Sequence, residues 1–395
     1  MRILFLSGWY PYPPDNGSKI RIYNLVRRLA RCCAIHLLSF TDDPVSEDQL
    51  AAMKKYCSSV DTVPWIEFRP ARLRAFLGFL SPRPRAVVDT YSLTMQDRVT
   101  QMAQWQPFDV VVASEFRTAP YAARLSCPRI FEDPELSVLH ERYAAAQHWL
   151  TRARHGLTWW KMSRYMSRLL DQFDACTVVS EGERDLLASI APDYTHVAVA
   201  PNGVDVEHYT GFFGAPQPGS MIYTGALSYH ANFDAMDYFL SEVHPLIAAQ
   251  EPRAALAITG RADPALMQRL PKAPEVTFTG YLPDIRPAIA QSWISIVPLR
   301  VGGGTRLKIL EAMALGTPVV STRKGAEGLD VTHEQDILVA DTPNAFADAV
   351  LRLFNDRALR ARLASNGRQL VKRMYDWDVC AEVLVELIQR VAGDG

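Results

Sequence analysis

Two α/β domains, each built on a parallel sheet with helices on both faces, are what this sequence predicts, and three observations predict them. Short apolar runs alternate with helical repeats along the chain. Glycine-rich loops recur where those runs end, the place at which open α/β sheets hold ligands. The alternation is interrupted by Pro201-Asn-Gly-Val-Asp205 and a Gly/Pro-rich stretch from Gly211 to Gly219, then restarts.

The 395 residues are enough for two domains with substantial cores. Apolar content of 48% and charged content of 22% are ordinary for a soluble globular protein, and a net charge of −1 argues against a general nucleic-acid binder. The cysteines at 32, 33, 57, 127, 176 and 380 lack paired metal spacing and read as reduced thiols of a cytoplasmic protein. Met1–Ser7 is too short and unflanked for a signal peptide and reads as a first strand. No apolar run reaches the roughly 18 residues of a spanning helix.

In chain order, strands are expected at Ile3–Ser7, Ile35–Phe40, Val60–Trp65, Asp109–Ser114, Pro128–Glu132, Ala175–Ser180 and His196–Ala200. After the first, the stiff loop Gly8–Ser18 leads into a helix opened by Gly17 and Ser18, a candidate acceptor or phosphate site. Glu115 and Asp133 stand just past strand ends and are expected to face a ligand crevice. Two basic segments interrupt this half. Arg69–Arg85 holds no acidic residue, and Arg152–Arg168 includes Trp159, Trp160 and Lys161. Arg and Lys beside Trp, Phe and Leu suit an anionic membrane surface or a lipid-linked acceptor; a packed helix with a solvated basic face is the plainer reading.

The second half repeats the pattern, with strands at Met221–Ala226, Ala255–Thr259, Val276–Thr279, Ile294–Leu299, Val319–Thr322 and Ile337–Val339. Ligand-facing candidates follow the strands: the loop from Gly225 to Asn232, Gly260-Arg261, and Gly280-Tyr281-Leu282-Pro-Asp284. The centre of the chain's chemistry is Val297–Val320. A strand runs into Gly302, Gly303 and Gly304, then a helix beginning near Thr305 that Thr305 is placed to cap, and Gly316-Thr-Pro318 stops it. Glycines let the backbone approach an anion, and a helix N-terminus offers unpaired N–H groups and a positive dipole end. Arg306 and Lys308 add cations where the dipole disfavours them, which makes sense if a polyanion sits there. Glu311, two turns in, is placed for ribose hydroxyls.

Pro201-Asn-Gly-Val-Asp205, the Gly225 loop, Gly280–Asp284 and Leu310-Glu-Ala-Met-Ala-Leu-Gly-Thr-Pro-Val-Val320, in this order and spacing, resemble the retaining glycosyltransferases of family 4, group 1 glycosyltransferases of GT-B fold. The resemblance implies two Rossmann-like domains facing across a cleft. Residues 1–200, joined by a returning helix at 379–391, would bind a glycan or lipid-linked acceptor; residues 201–378 would bind a nucleotide-diphosphate sugar. It implies hexosyl transfer with retained configuration, without metal or cofactor, in cell-surface polysaccharide or glycoconjugate synthesis at the inner face of a membrane. Glu311 matches the second glutamate of the family's pair, and Gly17 the N-terminal glycine near the diphosphate.

The sequence departs from the family at four places. Gly303 replaces the first glutamate, Ala226 the arginine after the first strand of the second domain, Ser228–Asn232 the lysine that follows, and Glu115 is the nearest polar residue to a missing histidine. Two cations are lost from the Gly225 loop while Arg306 and Lys308 stand on the glycine-rich loop, so the expectation is that positive charge has moved from one strand end to another. The departing phosphate is the expected base, with Glu115 as the alternative. Asp376-Trp-Asp378 reads as a helix start rather than a magnesium site. A nucleotide-sugar epimerase of the same fold and a degenerate nucleotide-binding partner subunit are the rival readings.

Overall fold

The computed structural model describes residues 1–146, 148–273 and 275–393. The chain divides into two compact units, Met1–Pro201 with Cys380–Gly395, and Asn202–Val379.

The first unit holds β1 (Arg2–Ser7), β2 (Ala34–Thr41), β3 (Ser59–Pro64), β4 (Val110–Ser114), β5 (Arg129–Glu132), β6 (Ala175–Val178) and β7 (Val197–Val199). They form one parallel sheet in the order β3-β2-β1-β4-β5-β6-β7. Ile3 to Leu6 and Val110 to Ala113 are fully buried. Helices on both faces cover these strands, which is why they read as unbroken apolar runs. The order reverses between β1 and β4, and a crevice opens at the carboxyl ends of such a pair.

The loop after β1 ends in the helix Gly17–Leu29, which Asn16 caps by accepting the Lys19 N–H at 3.1 Å. Asn16→Ala is expected to cost about 1 kcal/mol, read as a lower urea midpoint at unchanged slope. Inside the sheet's carboxyl edge, Arg21 Nε donates to Glu132 Oε1 at 2.6 Å, and Ser114 Oγ donates to Glu132 Oε2 at 2.6 Å.

The second unit holds β8 (Gln217–Thr224), β9 (Ala255–Thr259), β10 (Val276–Gly280), β11 (Ser292–Val297), β12 (Val319–Ser321) and β13 (Leu338–Val339). The order β10-β9-β8-β11-β12-β13 is again parallel, with its reversal between β8 and β11. All six cysteines are free thiols.

The long piece of the first unit ends at Pro201, next to the boundary expected at 200, and the Gly211–Gly219 stretch lies inside the second unit. β8 reaches back to Gln217, which pairs with Ser292, and Val204 bridges Asp376, so residues from Asn202 on belong to the second unit. The last helix, Trp377–Gly393, begins at a turn in which Asp376 Oδ1 accepts the Asp378 N–H at 3.0 Å.

Candidate functional site

In the second unit, chemistry-bearing residues gather at the reversal between β8 and β11. Gly225 follows β8 with φ +149°, and its N–H donates to the Thr259 carbonyl at 3.0 Å. A Cβ there would lie 2.8 Å from Asn232 Nδ2 and 3.0 Å from Lys308 Nζ. Gly260, at φ +116°, is packed so closely that a Cβ would stand 2.6 Å from the Gly225 carbonyl carbon. Only glycines let the β8 and β9 loops nest this way.

The glycine-rich loop leaves β11 and enters the helix Leu307–Leu315. This start is two residues later than Thr305, and Thr305 does not cap it. Its hydroxyl accepts from Asn202 Nδ2 at 2.9 Å, a tertiary partner that outcompetes the local one. Gly302, at φ +102°, lies against the first turn of the helix His230–Tyr238, where a Cβ would meet Ala231 Cβ at 3.1 Å. Neither helix has a side-chain cap. Two uncapped helix N-termini therefore meet one glycine loop, an arrangement suited to an anion.

The two cations where this loop enters the helix, Arg306 and Lys308, are held differently. Arg306 is buried and turned into the loop, donating from Nη1 to the Gly303 carbonyl at 2.8 Å and from Nη2 to the Gly302 carbonyl at 2.7 Å and the Lys324 carbonyl at 3.2 Å. So turned, its guanidinium holds the backbone of the glycine loop to the segment around Lys324. Lys308 Nζ donates to Asn232 Oδ1 at 3.0 Å and to Tyr223 Oη at 3.1 Å, and lies 4.2 Å from the centre of the Tyr223 ring. Burial, and then the charge of Arg306, depress its pKa to about 7. Tyr223 also donates to Asn232 Oδ1 at 2.8 Å, and Asn232 Nδ2 donates to the Ala226 carbonyl at 2.9 Å. The Asn232 oxygen is thus filled from within the chain and orients Lys308, while Nδ2 makes one of its two possible donations.

Glu311 Oε1 accepts the Tyr209 hydroxyl at 2.9 Å; burial raises the carboxyl's pKa, while Tyr209 and Lys308 oppose the rise. At the β9 and β10 ends, Arg261 stacks over exposed Tyr281 at 5.3 Å, beside Leu282. The Cβ directions of Gly280 and Gly304 meet open space.

In the first unit, Glu115 follows β4 in the left-handed region, at φ +67°, and is buried. Its Oε2 would be 2.5 Å from a Cβ on Gly8, so the carboxyl lies on the loop after β1. Ser18 bonds to that carboxyl, and the Cβ direction of Gly17 is open. Burial pushes the Glu115 pKa to about 8 against the pull of Arg117, whose Nε lies 3.9 Å from Oε2. A carboxyl titrating near 8 is mostly protonated at neutral pH, so as the alternative base it would act only through its ionised fraction. Between pH 4.5 and 8 the folded chain holds a proton here that the unfolded chain has lost, so this group makes stability fall as pH rises. Glu115→Gln is expected to remove that slope, of up to about 1.4 kcal/mol per pH unit, in urea melts across the window.

A model described as Glycosyltransferase Family 4 matches residues 15–208, and one described as Glycosyl transferases group 1 matches residues 218–356. The chain belongs with the family 4 and group 1 glycosyltransferases. Its fold is GT-B. It is similar to a sucrose-phosphate synthase from Thermosynechococcus elongatus, at TM-score 0.69 and 19% identity over 100% of both chains. It is also similar to Anabaena HepE in complex with UDP and glucose, at TM-score 0.66 and 17% identity over 99% of this chain and 100% of that one. Among curated relatives, a phosphatidyl-myo-inositol mannosyltransferase of Mycobacterium tuberculosis is 28% identical over 214 residues, 49% of this chain and 54% of that protein. An uncharacterised 44.6 kDa protein in the cps region of Klebsiella pneumoniae is 24% identical over 165 residues, 40% of this chain and 42% of the other. The chain spans about half the length of these curated relatives.

Two residues of this candidate site escaped the sequence reading. Tyr223 lies in an apolar strand, where an aromatic reads as core, and Tyr209 lies beside the Gly/Pro-rich stretch read as a boundary. A tyrosine at the last turn of a buried strand is the signal for the first, since its hydroxyl needs a partner. Nothing local marks the second.

Proposed function

We propose that this chain transfers a sugar from a nucleotide-diphosphate sugar to an acceptor hydroxyl with retention of configuration, in the making of a cell-surface polysaccharide or glycoconjugate. One observation carries the reading. Lys308 starts from the β11 side, yet its ammonium rests against Gly225 and Asn232, in the loop that lacks the family's two cations. It restores positive charge beside two uncapped helix N-termini. The diphosphate would lie against these N-termini and Lys308, and the ribose at Glu311. Gly303 leaves room where a glutamate would stand. As the glycosidic bond breaks, negative charge grows on the diphosphate, and these fixed groups stabilise it without reorganisation. The acceptor hydroxyl attacks from the face the diphosphate leaves, and the departing phosphate takes its proton. Side chains and helix dipoles supply the charge compensation, so no metal is required by this route.

The donor unit's reading is supported by the HepE complex with UDP and glucose, and sugar transfer by the names of the mannosyltransferase relatives. The test is a thermal-shift screen of UDP-, GDP-, ADP- and dTDP-sugars, followed by nucleotide release with acceptor pools. One nucleotide class should raise the melting temperature, and release should require an acceptor. Isomerised donor without acceptor would identify an epimerase. Donor binding with no release from any acceptor pool would identify a partner subunit, and no stabilisation by any of the four would remove the reading.

A further inference from the structure

The helix Trp149–Leu170 carries two apolar faces, and the fold uses one of them. Met162, Met166, Leu169 and Leu170 are buried in the core of the first unit. At about 100° per residue, Trp149 and Trp160 share a direction on the other side, with Leu150 and Leu157 about 80–100° further round. All four are exposed, Trp149 at 71% and Trp160 at 52%. This second stripe runs for roughly 16 Å along the axis.

The structure brings the other basic segment to the same helix. Lys161 Nζ donates to the carbonyls of Gly78, Phe79 and Ser81 at 3.2, 2.9 and 3.0 Å. That segment begins with the short helix Leu73–Leu77 and turns back through Arg85, whose guanidinium lies 3.9 Å over the Phe79 ring. Leu73, Phe76, Leu77, Phe79 and Leu80 are exposed, Leu80 at 87%. Of seventeen large apolar side chains left exposed among the described residues, nine fall in these two pieces, so the exposure is a patch and not scatter.

Charge decides what covers it. No acidic residue lies in 149–170 or between Arg69 and Arg85. Glu67 sits with Arg69, and buried Asp89 with Arg72. Arg74, Arg83, Arg152, Arg154, Arg164 and Arg168 make no ion pair among the described residues. A second copy packed symmetrically on this face would set arginine against arginine. An anionic bilayer matches both properties, since aromatic and aliphatic side chains sink into the headgroup boundary while arginines extend to lipid phosphates. We infer that Leu73–Leu80 and the outer stripe of Trp149–Leu170 form one membrane-docking surface that lies on an anionic lipid leaflet. No helix among the described residues is long and apolar enough to cross a membrane.

The inference stands apart from the transfer reaction, and its test is sedimentation of the full chain with phosphatidylcholine vesicles, with and without phosphatidylglycerol. Binding to the anionic vesicles is expected at low salt, weakening as salt rises. Arg154→Gln and Arg164→Gln should each weaken it by about fivefold. A Phe76→Asp/Leu80→Asp pair and Trp160→Asp should each weaken it by about tenfold or more. All these side chains are exposed, so the variants should keep the wild-type melting temperature and donor-induced shift. Failure to bind anionic vesicles at low salt, or binding untouched by the apolar replacements, overturns the inference. So does a dimer in sedimentation velocity that these replacements dissolve while vesicle binding is absent.

Discussion

Replacing Lys308 by Met is expected to lower turnover by about 10²–10³-fold, the loss of one fixed donor to a developing oxyanion, worth ~3–4 kcal/mol. The variant should fold, because Tyr223 still donates to Asn232 Oδ1 and a buried ammonium that costs desolvation is gone. The pH dependence separates this role from simple packing. With its pKa depressed to about 7, Lys308 is half neutral in the free chain at neutral pH. A diphosphate beside it favours the charged form and raises that pKa, so binding takes up a proton and donor affinity falls as pH rises above 7, by up to about tenfold per unit. Calorimetry in buffers of different ionisation enthalpy reads the uptake directly, and Lys308→Met should abolish it. The folding equilibrium has the opposite sign. Between pH 7 and 10.5 the unfolded chain holds a proton the folded chain has released, so stability from this group rises with pH across that window. Turnover of Lys308→Met equal to wild type at saturating donor and acceptor would remove the lysine from the chemistry.

The thirteen strands among the described residues were legible because a parallel sheet covered on both faces writes each strand as an apolar run, and helical repeats separate most of them. Lys308, Glu311 and the three glycines were legible for a different reason: they stand out against local rules, as cations at a helix start or glycines between strand and helix. Legibility ended where a tertiary partner overrode a local preference. Thr305 has the chemistry of a cap, but Asn202, a hundred residues earlier, takes its hydroxyl. Asn232 looks like a ligand group, but Tyr223 and Lys308 take up its amide oxygen and the Ala226 carbonyl takes one of its N–H groups. Arg306 and Lys308, two residues apart, read alike as phosphate cations, and their division of labour depends on which way each side chain turns. Glu115 was placed at its strand end from position alone, whereas the burial that keeps it protonated comes from Gly8 and other elements packed against it.

Arg306 tests that division of labour. Its guanidinium spans carbonyls of Gly302, Gly303 and Lys324, joining the glycine loop to the segment after β12. Truncation to Ala leaves those carbonyls short of a donor and opens space beside them, so Arg306→Ala is expected to cost about 3–5 kcal/mol of stability and to loosen the loop. Arg306→Lys should recover little, because one ammonium cannot reproduce a planar fork held on carbonyls at both ends. Donor affinity should fall in both variants, since Gly302 and Gly304 hold φ of +102° and +82° within that clamp. Removing its nearby charge should also move the Lys308 pKa up from about 7, so the pH at which donor affinity begins to fall shifts upward. A direct phosphate cation would behave otherwise: Arg306→Lys would rescue binding, and neither variant would lose much stability. Urea melts and donor titrations on the same preparations decide between the two. A stable Arg306→Ala chain with weakened donor binding alone would return the guanidinium to the diphosphate.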